Sequence, residues 1–222
     1  MPEFNASATE LTTAATDALL GFLALACVAL LQQHRKADRW KVGIWTGALA
    51  TLAAAALLGA VVHGLELDNG TRELLWRPLY FLLGLLVALF VVAASYDWLG
   101  EKPARRVLLV MIPVAVGFFA ITQLLSGAFL VFVVYEAVAM LAVLGIYVSL
   151  ASRRRLPGAE LMALAILLNI VAAGIQASGS VRFALVWPFD HNGLFHIVQM
   201  IAVVVLMLGL RQSLQPRSAE WY

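Results

Sequence analysis

The stretch LYFLLGLLVALFVVAAS (Leu79–Ser95) contains no charged side chain. It forms the centre of a longer apolar run, residues 75–97. A helix needs about 20 mostly apolar residues to cross the hydrocarbon core of a bilayer. The stretch therefore predicts a membrane-spanning helix, and it sets the length against which the rest of the chain is compared.

Six other runs resemble this one in length and composition. The seven predicted spans cover residues 11–32, 42–63, 75–97, 106–123, 126–149, 157–177 and 193–212. The weakest boundary lies between the fourth and fifth runs, where Ser126 and Gly127 form the turn signal. Hydrophobic residues make up 63% of the chain and charged residues 13%, whereas soluble domains contain about 45–50% and 25%. We therefore predict an all-α polytopic membrane protein, a seven-transmembrane-helix bundle that forms a single domain over residues 1–222.

The distribution of basic residues predicts the orientation of the bundle. Twelve of the fifteen Lys and Arg residues lie in the first, third and fifth connections and in the C-terminal tail. Loops rich in Lys and Arg stay in the cytoplasm, so we expect the N-terminus outside and the C-terminus in the cytoplasm. The N-terminal segment has no basic region of the kind that opens a signal peptide, so the first helix is expected to remain in the fold.

Polar side chains recur in the halves of the predicted spans that lie nearest the outside. They are Asp17, His63, Gln123, Glu136, Asn169, Gln176, His196 and Gln199. Such residues usually face the interior of a helix bundle or a water-filled cavity, because burying them in lipid is costly. We therefore predict an outward-facing polar cavity. In the inner halves, Asp97 lies near the interface, where we expect it to be solvated.

Some of these residues also have structural explanations. Asp190 follows Pro188 and precedes the last span, so it is expected to cap that helix. Gln123, Asn169 and Gln176 could bond backbone carbonyls of neighbouring helices. Glu136 is harder to explain in this way, because a carboxylate near the middle of the membrane must be protonated, paired or in water.

Three of the four histidines lie at the same predicted membrane face: His63, His191 and His196. Imidazole is the commonest protein ligand for metals, and three protein ligands with a water form the usual catalytic zinc site. His191 and His196 are five residues apart, about 140° around an ideal helix. His191 can therefore join the site if it lies in a non-helical first turn. Gln199 shares the face of His196.

The segments LLGAVVHG (Leu57–Gly64) and DHNGLFH (Asp190–His196) resemble the alkaline ceramidase and adiponectin-receptor superfamily of seven-helix membrane hydrolases. The whole chain also resembles uncharacterised bacterial seven-helix membrane proteins, which implies a multi-pass protein of the bacterial inner membrane. The superfamily resemblance implies a zinc ion held by His63, His191 and His196. The chain departs from the superfamily in having Gly59 where a Ser is usual, and one extra residue between the last two histidines.

The resemblance implies a zinc-dependent hydrolase that cleaves a lipid amide or ester from the outer leaflet. Membrane lipid is then the partner, and no nucleic acid is expected. Asp17 or Glu136 would act as general base or proton shuttle, and Asn192 or Gln199 would hold the oxyanion. Asn169 and Gln176 would line the substrate cavity.

Two other classes of protein also agree with the sequence. One is a non-catalytic transporter, receptor or lipid-binding protein with an outward-facing polar cavity centred on Glu136 and Asn169. The other is a haem protein, with His63 and one histidine of the last span as axial ligands. A microbial rhodopsin is excluded because it needs a lysine in its last helix, whereas Lys36, Lys41 and Lys102 all fall in predicted cytoplasmic loops.

Overall fold

The computed structural model describes residues 3–125 and 128–215. In these ranges the chain forms seven α-helices: α1 (Ala8–Gln32), α2 (Arg39–Gly64), α3 (Asn69–Leu99), α4 (Glu101–Leu124), α5 (Ala128–Ser152), α6 (Ala159–Ser178) and α7 (His191–Ser213). A two-stranded antiparallel hairpin, β1 (Arg182–Ala184) and β2 (Pro188–Asp190), connects α6 to α7. All seven helices are long and apolar enough to cross a membrane. The predicted all-α bundle of seven helices is confirmed, and the predicted turn at Ser126 and Gly127 lies outside the described residues.

Polar residues fix where four of the helices begin. Ser7, Asp38, Asp68 and Asp190 each accept a hydrogen bond from a backbone N–H in the first turn of the helix that follows. Such caps satisfy donors that a helix leaves free at its beginning. At Asp68 the hydroxyl of Thr71 also donates to the carboxylate, and this hydrogen bond holds the pKa of Asp68 below its usual value.

Six of the helices form a closed ring. In order around the ring they are α1, α2, α3, α5, α6 and α7, and α7 packs against α1 again. Helix α4 lies outside the ring and packs against α3 and α5. Its buried residues, Ala104, Ala115, Phe118 and Thr122, lie on a single face. The ring therefore encloses an interior to which α4 has little access.

Large apolar side chains cover the outside of the bundle. Examples are Leu19 and Phe22 on α1, Leu109 and Val110 on α4, and Val138 and Leu141 on α5. Water-soluble proteins rarely expose apolar surface on this scale. This surface agrees with a multi-pass protein whose helices face lipid.

A buried ion pair joins three helices at one end of the bundle. The Lys41 ammonium lies 2.5 Å from the Asp97 carboxylate, and the Tyr147 hydroxyl donates to the same carboxylate at 3.0 Å. The side chain of Asp97 is only 2% exposed, so the prediction that it is solvated is wrong. Lys41, expected in a loop, lies in the first turn of α2. Packing of α2 and α5 against the end of α3 removes both charges from water.

Candidate functional site

The ring encloses a cavity of about 130 Å³. Every ring helix contributes to its wall, whereas α4 contributes none of the lining residues in the described parts of the chain. Along α3 the lining runs from Trp76 to Phe90, a distance of about 21 Å at 1.5 Å per residue. The cavity is therefore narrow and deep, with a length that compares with the thickness of about 30 Å of the hydrocarbon core of a bilayer.

The wall of the cavity has a polar part and an apolar part. Five residues, here called the polar layer, lie about 8–14 Å along their helices from the end of the bundle at which α1 begins; they are Asp17, Glu136, Asn169, His196 and Gln199. Beyond this layer the wall is apolar, with Leu52, Phe90, Met140, Ile166 and Leu206. The cavity thus offers polar contacts near one end and only hydrocarbon contacts at the other.

Asp17 and His196 form the most buried part of the polar layer. The Asp17 carboxylate lies 3.1 Å from Nε2 of His196, and both side chains are under 10% exposed. The Thr16 hydroxyl lies 3.1 Å from Nδ1 of His196 and donates to the Thr13 carbonyl at 2.9 Å. Since that hydroxyl has only one hydrogen, Nδ1 is assigned as the donor to Thr16. Nε2 then faces the Asp17 carboxylate.

Gly59 makes room for this pair. A Cβ atom at position 59 would lie 2.6 Å from Oδ2 of Asp17, far inside the usual contact distance. The departure from the serine expected at this position therefore has a structural reason here, because the Asp17 carboxylate fills the space that a side chain would need.

Glu136, Asn169 and Gln199 connect three helices through their side chains. The Asn169 amide donates to Oε1 of Glu136 at 3.0 Å, and the Gln199 amide donates to the Asn169 carbonyl oxygen at 3.3 Å. Only the Asn169 amide reaches the carboxylate, and Glu136 is 7% exposed. The described residues place no Lys or Arg in the cavity wall, so Glu136 is held by the Asn169 amide, which Gln199 in turn supports.

His63 lies nearer the end of the bundle, at the mouth of the cavity. Its Nδ1 lies 2.7 Å from Oε2 of Glu10, and the two side chains are 17% and 31% exposed. The ring of Trp76 meets the imidazole edge-on. Sequence analysis missed Glu10 as a member of this site. Its spacing of seven residues from Asp17, which puts both on one helix face, was the available signal.

Two predicted site residues, His191 and Asn192, lie in the first turn of α7 and are not part of the cavity wall. Asp190 caps the helix, as predicted, and also accepts a hydrogen bond from the Thr13 hydroxyl. His191 is the first residue of α7 and is absent from the cavity lining, and its Nδ1 is buried with no partner in the described chain. Asn192 accepts a hydrogen bond at 3.4 Å from Gln176, which does line the cavity. The structure thus brings His63 and His196 to one cavity but not His191.

The residues at this site do not form a three-ligand zinc centre. Within residues 3–125 and 128–215, no group of three His, Cys, Asp or Glu side chains is placed to hold a metal ion. Of the predicted zinc ligands, His63 is hydrogen-bonded to the Glu10 carboxylate, and Nε2 of His196 lies 3.1 Å from the Asp17 carboxylate. The zinc ion implied by the resemblance therefore stays a prediction, and no catalytic step is derived through it.

Fold and site together define a class: a bundle of seven helices suited to spanning a membrane, with a deep internal cavity whose wall is polar at one end and apolar at the other. The chain belongs to a family of unknown function, DUF6962, whose model matches residues 12–215. Comparison with curated proteins and with solved structures finds no match. The family assigns no activity, so the cavity is the best guide to function.

Proposed function

We propose that this protein binds an amphiphilic molecule, one with a polar head and an apolar chain, taken from the surrounding membrane. The observation that carries the proposal is the two-part wall of the cavity. The head would contact the polar layer, and the chain would lie against Leu52, Phe90 and Leu206 in the apolar part. Ligand sites of this kind combine a mostly apolar lining with a few polar groups that fix orientation.

The distribution of basic residues gives this binding site a direction. With the N-terminus outside, the mouth at His63 and Glu10 faces the exterior of the cell. The partial exposure of both side chains supports entry at this end. We therefore propose that the ligand comes from the outer leaflet or the outer aqueous phase.

The polar layer would determine which amphiphile is bound. An apolar chain gains little when it moves from a bilayer into the cavity, because lipid tails are as apolar as the leucine side chains that line the protein. The head group makes the difference, since polar groups in a low-dielectric site interact more strongly than in water. Selectivity is therefore expected to depend on Asp17, Glu136, Asn169 and Gln199.

A bulky side chain in the apolar part should block binding. Ala56 lines the cavity and is buried, so Ala56→Phe is expected to occupy the space of the chain and to lower affinity for single-chain amphiphiles at least about tenfold, or roughly 1.4 kcal/mol. Equilibrium binding of radiolabelled dodecyl amphiphiles to the protein in phosphatidylcholine nanodiscs, with empty nanodiscs subtracted, measures the effect.

The matched control is Ala54→Phe, because Ala54 lies on the exposed face of the same helix. This variant should bind like the parent protein. Equal affinities for the parent, Ala54→Phe and Ala56→Phe proteins would show that the apolar part of the cavity does not hold the chain.

A zinc-dependent lipid hydrolase is the second candidate, supported by the presence of Asp17, His63 and His196 in one cavity wall. Metal analysis of protein purified without chelators distinguishes the two candidates. We expect less than one zinc per chain, because His191 does not reach the cavity. One zinc per chain, lost in both His63→Ala and His196→Ala but kept in His34→Ala, would instead establish the metal site and favour the hydrolase.

A further inference from the structure

The charges in the cavity wall identify the chemical class of the ligand, an inference that rests on the proposed function. We propose that the amphiphile bound in the cavity carries a protonated amine, which pairs with the Glu136 carboxylate. The wall contains two carboxylates, Asp17 and Glu136, and no Lys or Arg among the described residues. The wall therefore favours a cationic ligand over an anionic one.

The two carboxylates differ in what they have left to offer a ligand. Asp17 already lies 3.1 Å from Nε2 of His196, so its partner is supplied by the protein itself. Glu136 accepts a hydrogen bond at Oε1 from Asn169, and its other oxygen has no hydrogen-bond partner in the described structure. A carboxylate in a low-dielectric interior is costly unless it is paired. An ammonium group at the free oxygen of Glu136 would complete that pairing.

Aromatic side chains in the same wall favour the same partner. Phe132 lies four residues before Glu136 on α5, on the same helix face, and both line the cavity. Trp76, Tyr80 and Phe195 line the wall from two other helices. The faces of aromatic rings attract cations within about 6 Å, and more strongly where water is excluded. The wall thus contains both an acceptor for the ammonium hydrogens and aromatic side chains from three helices.

Other head groups fit this wall less well. A carboxylate or phosphate would meet Glu136 without any Lys or Arg from the described wall to compensate it, and like charges in a buried site repel. An alcohol can donate to Glu136, but it leaves the negative charge unpaired. The expected order of affinity for one chain length is therefore amine, then alcohol, then carboxylate.

Three probes with the same chain test this order: dodecylamine, 1-dodecanol and dodecanoate. Each is titrated into the full-length protein in neutral phosphatidylcholine nanodiscs, and binding to empty nanodiscs is subtracted. We expect the amine to bind about tenfold or more tightly than the alcohol, because hydrogen bonds between charged partners are stronger than neutral ones. This comparison needs no variant, so it remains decisive even if substitutions at Glu136 impair folding.

Glu136→Gln then locates the preference. The variant should lose about tenfold in affinity for dodecylamine while its affinity for 1-dodecanol changes less than about threefold. The matched control, Glu160→Gln, removes an exposed carboxylate outside the cavity wall and should behave like the parent protein. Binding of all three probes with equal affinity, or an amine preference that survives Glu136→Gln, would overturn the inference but leave amphiphile binding intact. If none of the three probes binds, the proposed function itself is overturned.

Discussion

Asp97→Asn is expected to lower the free energy of unfolding by about 3–5 kcal/mol. The substitution removes the negative partner of Lys41, whose side chain is 4% exposed and has the Asp97 carboxylate 2.5 Å away. A buried ammonium without a counter-charge has neither the hydration of water nor the attraction of its partner. Unfolding of the purified protein by increasing SDS in mixed micelles, followed by circular dichroism, measures the change.

Two further variants separate the ion pair from general damage. Lys41→Met combined with Asp97→Asn removes both charges and should recover much of the lost stability, because no buried charge is then left without its partner. Glu101→Gln breaks an exposed pair with Arg105 and should cost less than about 1 kcal/mol. If Asp97→Asn costs no more than Glu101→Gln, the buried pair contributes little to the stability of this end of the bundle.

The helices themselves could be predicted from the sequence, but the ring could not. A run of about 20 apolar residues forms a helix in a membrane because each backbone N–H and C=O must be bonded within the segment. The sequence does not show which helix lies outside the ring, because a helix face in contact with lipid and a face in the protein interior are both apolar. Gln123 was therefore expected in the cavity, yet it lies exposed on α4 and donates to its neighbour Thr122.

The depth of the polar residues was also readable from the sequence, whereas their partners were not. Asp17 and His196 belong to the first and last helices, and only the closure of α7 against α1 brings them together. The position of His191 depended on where α7 begins. Because the helix includes His191 as its first residue, that side chain is about 140° from His196 around the axis.

Gly158→Ala is expected to lower the free energy of unfolding by about 2–5 kcal/mol. Gly158 has φ of 75°, and a residue with a Cβ atom pays about 1–2 kcal/mol in this left-handed conformation. That Cβ atom would also collide with the backbone carbonyl of Gly209 on α7. Relief requires α6 and α7 to separate, at a further cost of about 1–3 kcal/mol. The same SDS titration measures the loss.

Gly179→Ala isolates the conformational part of this effect. Gly179 also has a positive φ, 62°, but a Cβ atom there would meet nothing within 4 Å, so this variant should lose only about 1–2 kcal/mol. The difference between the two variants measures the contact between α6 and α7. These helices carry Asn169, His196 and Gln199, so Gly158→Ala should weaken amphiphile binding as well, whereas Gly179→Ala should not. Equal losses of stability in both variants would mean that the close approach at Gly158 and Gly209 does not hold α6 against α7.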